Sequence, residues 1–296
     1  MARRLVEDLV ARSAARLDEA GVAFGHGTVD ALQEALWLTA HTLGLSWQDL
    51  ERRMKSPMTA AHQKALGALV TRRIATRKPA AYLLNEAWLG KHKFYVDERV
   101  IVPRSFIFEL LENRGQSRLF RGAGKAGLSP VSVLDLCTGS GCLAILAALA
   151  FPEAQVDAAD LSADALAVAK RNIAGYKLGK RIHLVRSDLF SGLAGRKYDL
   201  IISNPPYVKA AAMRRLPEEY RREPEMALAS GVDGLDHTRV ILAQAREHLN
   251  PGGLLAVEIG HNRKALEKGY PNLDFHWPKT SAGRGFVFTL TREDLE

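Results

Sequence analysis

Cysteine is nearly absent: Cys137 and Cys142 are the only two in 296 residues, and neither belongs to a Cys/His set with metal-ligand spacing. A disulfide framework and a structural zinc are excluded as organising devices, no metal is implied, and the expected compartment is the cytoplasm. Long apolar runs are missing too. The longest near-continuous one, Cys142 to Phe151, is far below the ~20 residues that cross a bilayer. Met-Ala-Arg-Arg leads into an amphipathic segment with Glu7 and Asp8, so neither a signal peptide nor a membrane span is expected. What remains is ordinary globular composition, 47 % hydrophobic and 25 % charged, with a length that suits about two domains at roughly 150 residues each. The 41 Lys+Arg against 33 Asp+Glu give +8. That surplus suits nucleic acid, a ribonucleoprotein or a protein that itself binds RNA, and equally a mildly basic enzyme.

The first 80 or so residues read as a small helical bundle. Leu5 to Ala20 is apolar at helical spacing and runs into Gly21; Thr28 is placed to cap a helix reaching Leu43 before Gly44. Ser46 with Asp49 opens a third helix, and Thr59 opens a fourth through Thr76, ended by Pro79. From Tyr82 the pattern changes: Trp88, Phe94, Val96, Val100, Ile101 and Val102 among charged residues predict a hairpin or short strands bridging two domains. A helix of about Phe106 to Asn113 leads to a glycine-rich basic loop from Arg114 to Pro130.

After Pro130 strands and helices alternate. Strand patterns stand at Val131 to Leu136, Gln155 to Ala159, Ile182 to Val185, Tyr198 to Ser203, Gly253 to Ile259, Leu273 to Trp277 and Gly285 to Leu290. Helical patterns fill Leu143 to Ala150, Ala163 to Asn172 and Leu235 to Leu249. Such alternation predicts an α/β doubly wound, mostly parallel sheet.

Between the first of those strands and its helix lies Asp135-Leu136-Cys137-Thr138-Gly139-Ser140-Gly141-Cys142. Glycines let backbone approach a ligand closely, and the first helical N–H groups hold anionic groups. Asp160, at the end of the next strand, can accept from both ribose hydroxyls. The loop fits the G-x-G-x-x-A dinucleotide pattern and an adenosyl-sulfonium loop alike. Asp135 is unusual in an apolar strand; a methyl donor carrying an amino-acid end has an ammonium that needs a negative partner. Ser187-Asp188-Leu189-Phe190 after the third strand reads either as a turn cap or as an adenine site, with Asp188 accepting from the amino group and Leu189 packing on the ring.

Ser203-Asn204-Pro205-Pro206-Tyr207 stands at the carboxyl end of the fourth strand, where active residues of open α/β sheets gather. A planar nitrogen conjugated to a carbonyl or a ring is a poor nucleophile because its lone pair is delocalised. The Asn204 side-chain oxygen and the Pro205 carbonyl can each accept one N–H of an NH2 group and so aim the nitrogen at a methyl carbon. Pro205 and Pro206 stiffen the loop, and Tyr207 supplies a flat wall.

With these motifs the chain resembles the S-adenosylmethionine-dependent methyltransferases of planar nitrogens, and among them the protein-glutamine methyltransferases. The resemblance implies a helical N-terminal domain over residues 1–82, a hairpin linker over 83–104, and a Rossmann-like catalytic domain of seven strands over 105–296. It implies S-adenosylmethionine held by Asp135, the Cys137, Thr138, Gly139, Ser140 and Gly141 loop, Asp160, Asp188, Leu189 and Asn204, with Asn204, Pro205, Pro206 and Tyr207 doing the chemistry. Asn-Pro-Pro-Tyr is shared with DNA adenine and RNA guanine methyltransferases. Phe94 to Arg104 and Glu223 to Leu235 resemble the glutamine enzymes specifically. The release-factor branch continues Pro-Arg with Pro-Glu-Thr-Glu and begins its loop with Gly; Ser105-Phe106-Ile107-Phe108 and Cys137 instead resemble the branch acting on the third protein of the large ribosomal subunit. Cys137 in place of Gly argues for a backbone-only role at negative φ. The expected partner is a large-subunit ribosomal protein, alone or in an assembling particle, with direct RNA contact as a further expectation and no membrane. Rival readings are a release-factor enzyme, a nucleic-acid amine methyltransferase and a ribosome-binding protein with a vestigial nucleotide fold. Because every cofactor and amide-orienting residue lies after residue 130, residues 1 to about 100 are expected to recognise the protein substrate, and a chain starting near Arg104 to keep cofactor binding.

Overall fold

The computed structural model describes residues 4–112 and 129–296; the glycine-rich loop expected from Arg114 lies outside them as far as residue 128. Five helices open the chain: α1 (Val6–Glu19), α2 (Ala31–Leu43), α3 (Trp47–Arg53), α4 (Ala60–Thr76) and α5 (Ala80–Leu84). The cap of α2 is Asp30, whose Oδ1 accepts from Gln33 N at 2.8 Å, and not Thr28. Thr28 is buried and donates to Glu34 Oε2 at 3.2 Å. Helix α4 ends at Thr76 as expected, capped by Arg77 in the left-handed conformation, and Pro79 starts α5, whose last residues the sequence pattern gives to the hairpin.

The hairpin pairs β1 (Ala87–Leu89) with β2 (His92–Phe94). Val100 to Val102, expected as strand, is irregular, because its apolar side chains are buried by packing on the helices and not by a neighbouring strand. Val96, Val100 and Val102 join Leu17, Leu38, Leu66 and Val70 in one core, which also takes in Ala165 and Val168 from the catalytic half.

Helix α6 (Ile107–Glu112) precedes the main sheet, whose strands are β3 (Ser132–Leu136), β4 (Gln155–Asp160), β5 (Ile182–Arg186), β6 (Tyr198–Ser203), β7 (Leu249–Glu258) and, after a two-residue pair β8 (Lys279–Thr280) and β9 (Gly283–Arg284), β10 (Val287–Thr291). Their order is β10-β7-β6-β3-β4-β5, all parallel except β10 against β7. The place expected for a seventh strand, Leu273 to Trp277, is held by a single antiparallel bridge of His276 to Thr289, since the segment offers only one residue in ladder register. Inward-facing residues alternate. Val133, Val156, Leu200 and Ile202 pack on α6, α7 (Cys142–Ala150) and α8 (Ala163–Gly175), whereas Leu134, Leu136, Ile201 and Leu255 pack on α10 (Asp236–Gln244) and α11 (Arg263–Gly269), which follow the short α9 (Ala210–Met213). With both faces covered, strands read as nearly continuous apolar runs.

From β3 the chain steps outward to β4 and β5, then returns to place β6 on the other side of β3. The strand order therefore reverses at β3/β6, and a ligand crevice opens beyond the carboxyl ends there. Leu136 and Ser203 are register partners, so Cys137 and Asn204 leave adjacent strands side by side.

Candidate active site

The turn after β3 is built by unusual backbone. Cys137 adopts φ 59, correcting the expectation of negative φ, and Leu189, in the turn after β5, adopts φ 46. Each such residue costs roughly 1–3 kcal/mol, tolerable only where surroundings dictate it. At Cys137 the following amide, Thr138 N, must reach Ala159 O at 3.0 Å. Gly141 at φ +79 opens α7, and a Cβ there would lie 3.0 Å from Ala169 Cβ, so glycine brings α7 against α8.

Asp135 is fully buried. Its Oδ2 accepts from Thr138 Oγ1 at 2.5 Å and Ala144 N at 2.9 Å, while Oδ1 has no partner. Burial, only partly offset by those two bonds, pushes its carboxyl up to about 7. Asp160 holds the loop from the neighbouring strand: Oδ2 accepts from Gly139 N at 2.8 Å and Oδ1 from Ser162 N at 2.9 Å. Burial raises its pKa, and the backbone donors oppose the rise. In the third turn Ser187 Oγ donates to Leu189 O at 2.6 Å and accepts from Gly192 N at 2.8 Å. The turn-cap role thus belongs to Ser187, and the exposed Asp188 carboxylate has no partner among the described residues.

Two cavities meet at Asn204. The first, about 730 Å³ including its open mouth, is lined by Cys137, Gly139, Asp160, Asp188, Leu189, Asn204 and Pro206 among others. The second, about 1070 Å³, takes Asn204, Pro205 and Tyr207 with Arg104, Phe106, Tyr220, His261 and Phe286. Asp135, Thr138, Ser140 and Gly141 line neither; they shape the loop from behind. The Asn204 Nδ2 donates to Arg104 O at 3.1 Å, and Oδ1 is buried without a partner. Tyr207 is seated by Gly260, where a Cβ would fall 2.8 Å from its Cε2, and donates to Glu258 Oε1 at 3.4 Å. Burial pushes Glu258 up to about 7, against the bonds it accepts from Ser105 and Phe106.

Several site residues carried no local signal. Arg99, Val100 and Ile101 line the first cavity, from a segment assigned by pattern to substrate recognition. Asn172 on α8 donates to Ser140 O at 2.8 Å and exchanges bonds with the Tyr95 backbone, joining the glycine loop to the hairpin exit. The segment after Tyr207, which walls the second cavity, is anchored by Glu219: it accepts from Arg73 at 3.3 Å and pairs with Arg77 at 2.8 Å, both on the helical bundle. A buried arginine could have been guessed from neither helix spacing nor composition.

Family profiles match residues 127–268 to the Methyltransferase small domain and residues 8–84 to the PrmC N-terminal domain. Among solved structures, the hMettl16 catalytic domain in complex with a MAT2A 3′UTR hairpin shares the fold at a TM-score of 0.50 and 12 % identity, covering 79 % of this chain and 81 % of that one. The ribosomal protein uL3 glutamine methyltransferase of Burkholderia pseudomallei is 50 % identical over 299 residues, 99 % of this chain and 96 % of that one. That of Neisseria gonorrhoeae is 51 % identical over 298 residues, 98 % and 95 % of the two chains. Identity of this order running through both the helical bundle and the Asn204 sheet places the chain: it belongs to the ribosomal protein uL3 glutamine methyltransferase family.

Proposed function

We propose that this enzyme transfers a methyl group from S-adenosylmethionine to the side-chain amide nitrogen of a glutamine in ribosomal protein uL3. The observation that carries the chemistry is the partnerless, buried Asn204 Oδ1 at the junction of two cavities. A buried acceptor without a donor costs about 1–3 kcal/mol, and an NH2 group presented from the second cavity removes that cost. Relatives named for uL3 support the same substrate here, and the release-factor branch is not favoured.

The residues present fit the cofactor. Asp160 keeps lone pairs on both oxygens for ribose hydroxyls, Asp188 is free for an adenine amino group, and Leu189 offers an apolar face beside it. Asp135 lines neither cavity and serves in this reading from behind the loop, its Oδ2 holding Thr138 and Ala144 N. Bound in the first cavity, the cofactor supplies a methyl group on a positively charged sulfur. Asn204 Oδ1 and the Pro205 carbonyl accept the two amide N–H bonds and strip the nitrogen of rotational freedom, Pro206 stiffens their spacing, and Tyr207 walls the planar group. Acceptors fixed before the reaction also stabilise positive charge as it develops on nitrogen.

The helical bundle over 1–82 and the linker over 83–104 serve substrate recognition in this reading, with the linker also closing the cofactor cavity. Lys209, Arg214, Arg215 and Arg221 are exposed and lack a carboxylate partner among the described residues, on the segment that walls the second cavity. They favour a uL3 substrate accompanied by RNA in an assembling particle, and hence work in the cytoplasm. Mass spectrometry of ribosomal proteins from cells with and without the gene tests the assignment. One glutamine of uL3 lighter by a CH2 group in the mutant is expected; an unchanged uL3 refutes it.

A further inference from the structure

Asn204 can help only if its oxygen, not its nitrogen, faces the substrate NH2. A half-turn of the side-chain amide is nearly isosteric and would set donor against donor. Arg104 O decides the matter, because a carbonyl accepts only: Nδ2 must face it at 3.1 Å, and Oδ1 is left toward the cavities. That carbonyl belongs to no helix or strand, so no backbone ladder fixes it.

Side chains fix it instead. Glu223 Oε1 accepts from Val102 N at 2.9 Å and Arg104 Nη1 at 2.7 Å, and its Oε2 accepts from Arg104 Nη2 at 2.6 Å. On the far side Glu258 Oε2 accepts from Ser105 Oγ at 2.7 Å and Phe106 N at 2.8 Å. The Arg104 peptide is therefore gripped from both ends by buried carboxylates, with the forked guanidinium geometry adding direction. Glu223 lines neither cavity and touches no reacting atom. It heads the Glu223-Pro224-Glu225-Met226 run, for which the sequence offered a family likeness but no role.

We propose that Glu223 is a positioning residue for the transfer, setting through Arg104 which end of the Asn204 amide meets the substrate; this rests on the amide-orienting role of Asn204 given above. Burial opposes its charge, but Arg104's charge and hydrogen bonds, with His26 Nε2 3.4 Å from Oε2 adding to them, prevail and hold the carboxyl down at about 2. The Glu223 side of the clamp therefore stays charged across the working pH range, while Glu258 on the far side changes charge near 7.

The test compares parent, Glu223→Gln and Arg104→Lys in full-length protein, with uL3 as substrate and 15N-labelled asparagine side chains, the Asn204 signal being assigned by its loss in Asn204→Ala. In Glu223→Gln, kcat is expected to fall roughly 10- to 100-fold, as for displaced orienting groups, with KM for uL3 and cofactor affinity held within about twofold. The Asn204 NH2 signal is expected to lose its slow hydrogen exchange. Arg104→Lys keeps the charge without the fork and should fall between. Parent-like kcat, or an unchanged Asn204 signal, overturns the proposal. Loss of cofactor binding and thermal stability in step with activity marks a merely structural role and overturns it as well. Failure of the parent to methylate uL3 would refute the proposed substrate, while the Asn204 signal would still report on the clamp.

Discussion

Asn204→Asp tests the amide geometry through pH. The substitution leaves an oxygen where Nδ2 donated to Arg104 O at 3.1 Å, so an ionised carboxylate there sets acceptor against acceptor. A lost bond with an unsatisfied buried partner costs about 1–3 kcal/mol, or roughly 5- to 150-fold in rate if carried into the transition state. A protonated carboxyl behaves differently. Its O–H can donate to Arg104 O while its carbonyl oxygen accepts from the substrate, reproducing the asparagine. Burial favours that neutral form, as it does at Glu258, pushed up to about 7, and the Arg104 guanidinium is already engaged by Glu223, which leaves the sulfonium of the bound cofactor as the cation that opposes it. The introduced group, with its folded pKa raised, is neutral below that pKa and charges as pH rises through it. The variant should therefore approach the parent at acidic pH and lose activity as pH rises, while the ratio of Asn204→Ala to parent stays flat, down roughly 10²- to 10³-fold as for other removed orienting groups. Single-turnover rates from pH 5 to 9 with saturating cofactor read the ratio. A variant-to-parent ratio independent of pH would refute the assignment of Nδ2 to Arg104.

Asp160→Ala removes the acceptor shared by Gly139 and Ser162 and should weaken cofactor binding by about 1.5–3 kcal/mol, measured by calorimetry. A chain starting at Arg104 was expected to keep cofactor binding; because Arg99 to Ile101 line that cavity and Ala165 and Val168 pack in the helical core, it should lose most of it in the same assay. Glu258 is raised from 4.5 to about 7, so its burial penalty is absent at low pH, grows as pH rises between those values and then levels off. Denaturant unfolding should show Glu258→Gln gaining on the parent between pH 4.5 and 7, by on the order of 3 kcal/mol if nothing else changes; a constant difference would show that the group does not titrate there.

The chain's apolar alternation, its caps and its glycine turns are local physics, and they determined the helical bundle, the hairpin, the parallel sheet and the Asp160, Asp188 and Asn204 positions at strand ends. The errors were local as well: Asp30 outcompeted Thr28 as a cap because Thr28 found a buried partner in Glu34, and the Leu273 to Trp277 pattern met only one bridge on the sheet. Residue types at strand ends also sufficed to single out Asn-Pro-Pro-Tyr as the candidate for the proposed amide orientation. Tertiary structure alone decided which end of the Asn204 amide is free. The Asn204 amide is symmetric in shape, so its direction depends on Arg104 O, placed by Glu223 and Glu258 from segments more than 100 residues away in sequence. Strand pairing also decided that Cys137 and Asn204 line one cavity, and packing of the linker brought Val100 and Ile101 to it. Such contacts join residues whose separation leaves no periodic trace, because they are fixed by packing and charge pairing after the elements have formed.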